Sequence, residues 1–235
     1  MNPSPSSRKT LLLIGASRGL GYAMAEEFVK RSWNVVGTVR GQAWTRLHEL
    51  SQRCPGRVEI ENLDITMAEQ IAALRARLAG RTFEMLFVNA GVSNNPEETI
   101  GEVSTEEFIR VMVTNALSPM RVLEALYHLV GDDGTIGVMS SGQGSVSKNT
   151  NGMREVYRGS KAALNMFMRS FAARHGTDQR AMILMAPGWV RTELGGPNAR
   201  LTIEESIPGL VSTLLAAQGN SGLRYLDYLG RSVPW

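Results

Sequence analysis

The chain has 235 residues, 43% hydrophobic and 20% charged, and its 25 basic and 22 acidic side chains leave a net charge of +3. That length and balance describe one globular domain able to bury a core, and the lack of any basic run interleaved with aromatics argues against nucleic acid as a partner. The single cysteine, Cys54, has no internal partner for a disulfide, which points to a reducing, cytoplasmic setting.

Residues 1–9 read as a flexible N-terminal tail, proline- and serine-rich as far as Ser7, and residues 10–235 as one domain. Arg8-Lys9 and the apolar run that follows superficially resemble the start of a secretory signal, but the run stops at Gly15. It is too short for a signal core or a membrane span, so no membrane association is expected. A buried strand is predicted at 10–14, then a glycine-rich turn at 15–21 and a helix at 20–30 with Ala23, Met24 and Phe28 facing inward. A strand at 34–39, a helix at 44–50, an alternating strand at 57–63 and a helix at 67–78 follow. The strand at 84–88 runs into Asn89-Ala90-Gly91. Ser104 is placed to cap a long helix reaching 129, in which Pro119 is tolerated by a bend near Asn115. A strand at 135–139 leads to a polar loop at 140–153 and a helix through Tyr157 to Arg174. A strand at 181–185, a loop at 186–189, a helix at 203–217 and an edge strand at 223–229 complete the chain. Strand and helix alternate throughout, without repeat or linker. This argues a doubly wound α/β fold: a parallel sheet of about seven strands with helices on both faces.

Tyr157 and Lys161 stand four apart, so on a helix they share one face. An ordinary tyrosine, with a pKa of about 10, is a poor acid or base near neutrality. A neighbouring ammonium is expected to pull that value down, which would let the phenol exchange a proton with a carbonyl or alcohol oxygen. A solvated helix face is the plain alternative for the pair.

The turn Gly15-Ala16-Ser17-Arg18-Gly19-Leu20-Gly21 follows the first strand and opens the first helix. Glycines there let the backbone approach a pyrophosphate, and the helix N-terminus offers N–H groups and a positive dipole end. At the end of the second strand, Gly37-Thr38-Val39-Arg40 has no acid to hold a ribose 2′-hydroxyl. Arg40 and Arg18 suit a 2′-phosphate instead and favour NADP(H) over NAD(H).

Seven stretches, in order, carry a resemblance to the short-chain dehydrogenase/reductase family over nearly the whole chain. They are the turn at 15–21, Leu63-Asp64, Asn89-Ala90-Gly91, Asn115, Ser140-Ser141, Tyr157 with Lys161, and Pro187-Gly188 with Thr192. The block Tyr157–Met166 and the ending Leu226-Asp227-Tyr228 … Val233-Pro234-Trp235 are similar to the C-factor-like branch. The resemblance implies Tyr157 as general acid/base, with Lys161 holding the nicotinamide ribose and lowering the tyrosine pKa. Ser141, or alternatively Ser140, would bond the substrate oxygen, and Asn115 would serve the proton relay. It also implies a cofactor site along Gly15, Ser17, Arg18, Gly19, Leu20, Gly21, Arg40 and Ala90, with Asp64 at the adenine and Asn89 and Gly91 along the ribose. Pro187, Gly188, Val190 and Thr192 would complete it, the last two at the carboxamide. Taken singly, Asn115 reads equally as a buried amide at a bend, Asp64 as a cap before Thr66, and Pro187-Gly188 as a turn.

Two features depart from the family pattern. From Ser141 to Tyr157 is 16 positions, about three more than usual, which suggests a small loop or hairpin within 145–153. The segment after Thr192 is short, which suggests an open pocket. The residues expected around that pocket, Gln143, Val146, Met153, Trp189 and Leu194, show no fixed charge and point to a small uncharged ketone, aldehyde or alcohol. His48, His128 and His175 have no metal-ligand spacing, and no metal is expected. The expected function is NADP-dependent interconversion of a carbonyl and an alcohol, by a homodimer or homotetramer. An NADP(H)-binding sensor or signalling protein is the alternative.

Overall fold

The computed structural model describes residues 8–235; of the predicted tail at 1–9, residues 1–7 lie outside them, and Arg8 and Lys9 are exposed coil. Seven parallel strands form one sheet in the order β3-β2-β1-β4-β5-β6-β7. They are β1 (Thr10–Ile14), β2 (Asn34–Val39), β3 (Val58–Asn62), β4 (Phe83–Val88), β5 (Val130–Met139), β6 (Ala181–Ala186) and β7 (Gly222–Asp227). The helices are α1 (Gly19–Lys30), α2 (Arg46–Arg53), α3 (Ala68–Arg77), α4 (Thr105–Met112), α5 (Ser118–Leu126), α6 (Glu155–Arg174) and α7 (Ile203–Ala217).

A strand buried on both faces must be apolar along its buried length, and β1 is so after Thr10: Leu11, Leu12, Leu13 and Ile14 are fully buried. Successive side chains point to opposite layers. Leu12 and Ile14 join α3, α5 and α6 in one core, with Leu74, Leu123, Leu164 and Phe171. Leu11 and Leu13 join α1, α2 and α7 in the other, with Met24, Phe28, Leu50 and Leu210. The strand order reverses between β1 and β4, which opens a crevice at their C-terminal ends.

Several predicted boundaries moved, the last strand among them, which runs Gly222–Asp227 rather than 223–229. The helix expected at 44–50 starts at Arg46, because the backbone N–H of Thr45 donates to His48 Nδ1 (3.1 Å) and Trp44 stays outside, stacked on His48. The fifth strand begins at Val130 rather than 135, across a register shift over the Asp132-Asp133-Gly134 stretch. The predicted bend near Asn115 is a π-helical turn, Val113–Leu117, between α4 and α5; it admits an extra residue where Pro119 enters the next helix. Ser104 caps α4 as expected, its side chain accepting from the N–H of Glu107.

Close strand packing fixes one glycine at the sheet centre. Gly137 pairs in register with Phe87, and a Cβ there would lie 2.5 Å from the Phe87 ring. Phe87 is fully buried and cannot move aside. Gly137→Ala is therefore expected to destabilise the fold by about 1–3 kcal/mol through overpacking, read as a lower urea midpoint. An unchanged midpoint would show that the ring finds room elsewhere.

Candidate active site

The turn after β1 is closed by its neighbours. Thr38 takes two bonds, its Oγ1 from the N–H of Gly15 (2.9 Å) and its carbonyl from the N–H of Ala16 (2.8 Å). The Asn89 amide donates to the carbonyl of Gly15 at 2.8 Å. Gly15, at φ +87°, has no room for a side chain, since a Cβ would lie 2.9 Å from the Ala90 backbone. A Cβ on Gly21 would lie 2.0 Å from the Gly15 carbonyl oxygen. The turn thus lies flat on the end of β4 and brings Gly15, Asn89 and Ala90 together at the crevice.

Beyond it, α1 begins at Gly19 with no side-chain cap and no acid in its first turn. An uncapped N-terminus of a twelve-residue helix, at the mouth of a strand-order switch, fits a pyrophosphate. Arg40 is exposed at the end of β2 and has no ion-pair partner among the described residues. Arg18 is also exposed, but its guanidinium pairs with Glu193 at 2.5 Å, beside the segment that follows Thr192. Ser17 and Leu20 complete the turn and are half-buried. Asp64 is committed locally: its Oδ1 accepts from the N–H (2.9 Å) and hydroxyl (2.7 Å) of Thr66, which closes a turn ahead of α3 without capping that helix, whose N-cap is Met67.

The side chains expected to react lie on α6 and the loop after β5. Lys161 is buried, and its Nζ donates to the carbonyl of Met139, the last residue of β5, at 2.9 Å. Burial pulls the Lys161 ammonium down to about 8. Tyr157 lies one helical turn earlier, with its ring centroid 5.9 Å from Lys161 Nζ. Its phenol is shifted up rather than down, contrary to the sequence expectation. Burial dominates, and the opposing effects are a hydrogen bond with the Ser141 side chain and the charge of Arg154, not Lys161.

The two serines separate. The Ser140 hydroxyl donates to Asn165 Oδ1 at 2.6 Å inside the core, whereas Ser141 is the serine whose side chain acts on the Tyr157 phenol. Ser141 also caps the short 3₁₀ turn Gly142–Gly144, its Oγ accepting from the N–H of Gln143. A Cβ on Gly144 would lie 2.9–3.0 Å from Asn165 and Lys161, so a glycine is what lets this turn rest on α6.

Asn115 is fully buried. Its Oδ1 accepts from the N–H of Val92, and its Nδ2 donates to the Val92 carbonyl (both 2.8 Å) and to Ser160 Oγ (3.0 Å). The side chain thus ties the π turn to the chain beyond Gly91 and to α6. A Cβ on Gly91 would sit 3.3 Å from Asn115 Oδ1 and 3.5 Å from Lys161 Nζ, so Gly91, Asn115 and Lys161 meet at one point.

Pro187 and Gly188 leave β6. The Ser206 hydroxyl donates to the Pro187 carbonyl at 2.7 Å, and Gly188 adopts φ +85° against Leu201. Val190 is buried and bridges Leu201, and Thr192 Oγ1 accepts from the N–H of Gly195 at 3.0 Å. Residues 190–201 are therefore a compact excursion, and a Cβ on Gly19 would lie 3.8 Å from Thr192. Of the small loop or hairpin expected within 145–153, the structure has the loop, without strands. Val146, Met153, Trp189 and Leu194 all leave large apolar side chains exposed on loops at this end of the sheet.

Sequence reasoning missed Tyr225, Asn165, Ser160 and Arg154, all of which touch or flank these groups. Asn165 stands in the quoted block 157–166, eight positions and two helical turns after Tyr157, which was the available signal. Among the described residues no cluster could hold a metal, and no helix is long and apolar enough to cross a membrane.

The buried ammonium makes a pH prediction. The unfolded chain holds the Lys161 proton up to pH 10.5, and the folded chain only to about 8. Between those values the unfolded state binds more protons, so this residue's contribution to stability rises with pH. Below pH 8 the penalty is about 3 kcal/mol at 1.36 kcal/mol per pH unit, offset by about 1 kcal/mol for the bond to Met139. Lys161→Met is expected to be about 2 kcal/mol more stable than wild type at pH 7, with the gap closing between pH 8 and 10.5. A pH-independent difference in urea denaturation would contradict this account.

Comparison with known proteins agrees with this geometry. The short chain dehydrogenase family model matches residues 9–200. A Burkholderia multivorans protein assigned to the short-chain dehydrogenases/reductases, solved with bound NADP, is 65% identical with a TM-score of 0.96, covering 97% of this chain and 100% of that one. A carbonyl reductase from Pseudomonas aeruginosa PAO1 in complex with NADP is 30% identical at a TM-score of 0.88, again covering 97% and 100%. Among curated proteins, the C-signal of Myxococcus xanthus is 35% identical over 154 residues, covering 65% of this chain and 92% of that protein. The seven-stranded parallel sheet, the glycine turn at its switch point and the match over residues 9–200 place this chain in the short-chain dehydrogenase family.

Proposed function

We propose that the protein is an NADP(H)-dependent oxidoreductase that interconverts a small uncharged carbonyl compound and its alcohol. The observation that carries this reading is the pairing of buried Tyr157 with buried Lys161 on one face of α6, next to the loop that begins at Ser141 and at the crevice beside the uncapped α1 N-terminus.

Residues 15–21 and the α1 N-terminus would hold the pyrophosphate, Arg40 and Arg18 the 2′-phosphate, and Asn89, Gly91 and Lys161 the nicotinamide ribose. Arg18 would have to leave Glu193 to do so, which makes Arg40 the more available partner. The bound reduced cofactor supplies the hydride. Ser141 orients the carbonyl by donating to its oxygen, and Tyr157 delivers the proton to that oxygen. A buried phenol that stays protonated well above neutrality is ready to act as the acid. The Lys161 ammonium, already lowered by burial, is suited to restoring that proton. The exposed apolar side chains Val146, Met153, Trp189 and Leu194 favour an uncharged substrate. A cytoplasmic location suits this cofactor and the free Cys54.

The similarity to C-signal favours a second reading, a nucleotide-bound signalling protein with little turnover. Tyr157→Phe separates the two. Wild type is expected to oxidise NADPH, and NADH far less, with at least one member of a ketone and aldehyde panel. The variant should lose about two to four orders of magnitude in turnover while its NADPH affinity, measured by titration calorimetry, stays within about threefold. No turnover by wild type across the panel would favour the signalling reading, and a fully active Tyr157→Phe would overturn the mechanism.

We also propose a homodimer or homotetramer. Met166 and Phe167 on α6, Phe108 and Ile109 on α4, and Leu117 in the π turn are exposed. An apolar groove of about 840 Å³ runs between α3 and α5, lined by Ile71, Leu117 and Met120. Light scattering at micromolar concentration should give a mass of at least twice the chain; a monomer would refute it.

A further inference from the structure

After β7 the chain folds back on itself. The Asp227 carboxylate accepts from the N–H groups of Leu229 (2.9 Å) and Arg231 (3.0 Å) and pairs with the Arg231 guanidinium. Leu226 then forms an antiparallel bridge with Ser232, and the N–H of Val233 donates to the Tyr225 carbonyl at 2.8 Å. This return lays residues 233–235 along the loop that follows Ser141.

The fold-back grips that loop twice. At one end, the hydroxyl of Tyr225 donates to the main-chain oxygen of Ser141. At the other, the main-chain oxygen of Trp235 accepts from Ser147 Oγ (2.9 Å), Ser147 N–H (3.2 Å) and Ser145 Oγ (3.2 Å). The two grips are coupled, because the Trp235 and Tyr225 rings lie 5.5 Å apart, and the Arg169 guanidinium from α6 covers the Trp235 ring at 4.9 Å. Tyr225 is buried, and burial pushes its phenol up, so it remains a donor across the working pH range.

We propose that Tyr225 and Trp235 are positioning residues that set Ser141 against Tyr157 and fix the loop 141–147 as the wall of the substrate pocket. The proposal rests on the catalytic reading of Ser141 and Tyr157 given above. Two further observations support it. The segment 145–153 is polar, with Val146 and Met153 exposed, so it has no apolar face with which to order itself. The Ser141 carbonyl and hydroxyl are carried by one Cα, so a shift of that residue away from Tyr225 also carries Oγ away from Tyr157. A displacement of about 1 Å in a catalytic group is enough to lower a rate severalfold to a hundredfold.

Tyr225→Phe keeps the ring against Trp235 and deletes only the donor. It is expected to lower kcat about tenfold with NADPH affinity within twofold of wild type. On a Ser141→Ala background the same change should have no further effect, because the hydroxyl it positions is already gone. An equal loss on both backgrounds would mark a general structural effect and overturn the proposal. A second readout needs no turnover: in hydrogen-exchange mass spectrometry of the full chain, Tyr225→Phe and Trp235→Ala should each speed exchange in the 141–148 segment at least tenfold, with α1 and β1 unchanged. Unchanged exchange in that segment would overturn the anchoring whatever the kinetics. Faster exchange in a protein whose wild type reduces no carbonyl would support the anchoring and count against the reaction.

Discussion

The burial of the Lys161 ammonium is the constraint on which the site depends. An ionised amine inside a protein is costly unless it is bonded, and here its protein partner is the carbonyl that ends β5. That bond sets the depth of α6 against the sheet. One helical turn back it sets the height of Tyr157, and across the loop it sets where the 3₁₀ turn after Ser141 can rest. Gly144 and Gly91 also bring backbone close to Lys161, and at Gly144 the approach needs a residue without a side chain. The lowered ammonium and the raised phenol share one cause, which is exclusion of water from this end of α6.

Asn115 extends the same logic to the other half of the crevice. An uninterrupted helix from α4 to α5 would carry its side chains past the end of β4 at a fixed pitch. The π turn adds one residue locally and lets a buried amide engage both backbone groups of Val92 and the Ser160 hydroxyl. Ser160 in turn donates to the carbonyl of Tyr157 at 2.7 Å. One side chain therefore ties the loop after β4 to the helix that carries Tyr157. Irregular helix geometry here follows from the position of the site, since the bend lies beside the residues it serves.

Much of this was legible in the sequence because it depends on local rules. The alternation of apolar strands with amphipathic helices gave the parallel sheet. The glycines of 15–21 marked a turn too tight for side chains, and Tyr157 with Lys161 declared a helix face. What stayed hidden depends on distance in space. Tyr225 is 84 positions from Ser141, and nothing in its neighbours signals where its hydroxyl points. The choice between Ser140 and Ser141 needed the strand's alternation extended one residue past its end, which turns Ser140 inward to Asn165. The sign of the tyrosine shift was misjudged because spacing reports which groups are near, whereas desolvation depends on how much protein surrounds them.

The choice between enzyme and sensor turns on cost. A nucleotide can be held by the glycine turn, a helix N-terminus and an exposed arginine, all near the surface and none requiring a buried charge. The Lys161–Tyr157–Ser141 group adds a desolvated amine, a desolvated phenol and a loop whose order is imposed from β7 and beyond. Each of these lowers stability or removes chain freedom without being needed to hold a pyrophosphate or a 2′-phosphate. A proton transfer needs all three: a donor of suitable pKa, a hydrogen bond to orient the acceptor oxygen, and a nearby group to return the proton. The arrangement therefore makes physical sense as apparatus for moving a proton beside a nucleotide, and a function confined to binding would leave most of it unexplained.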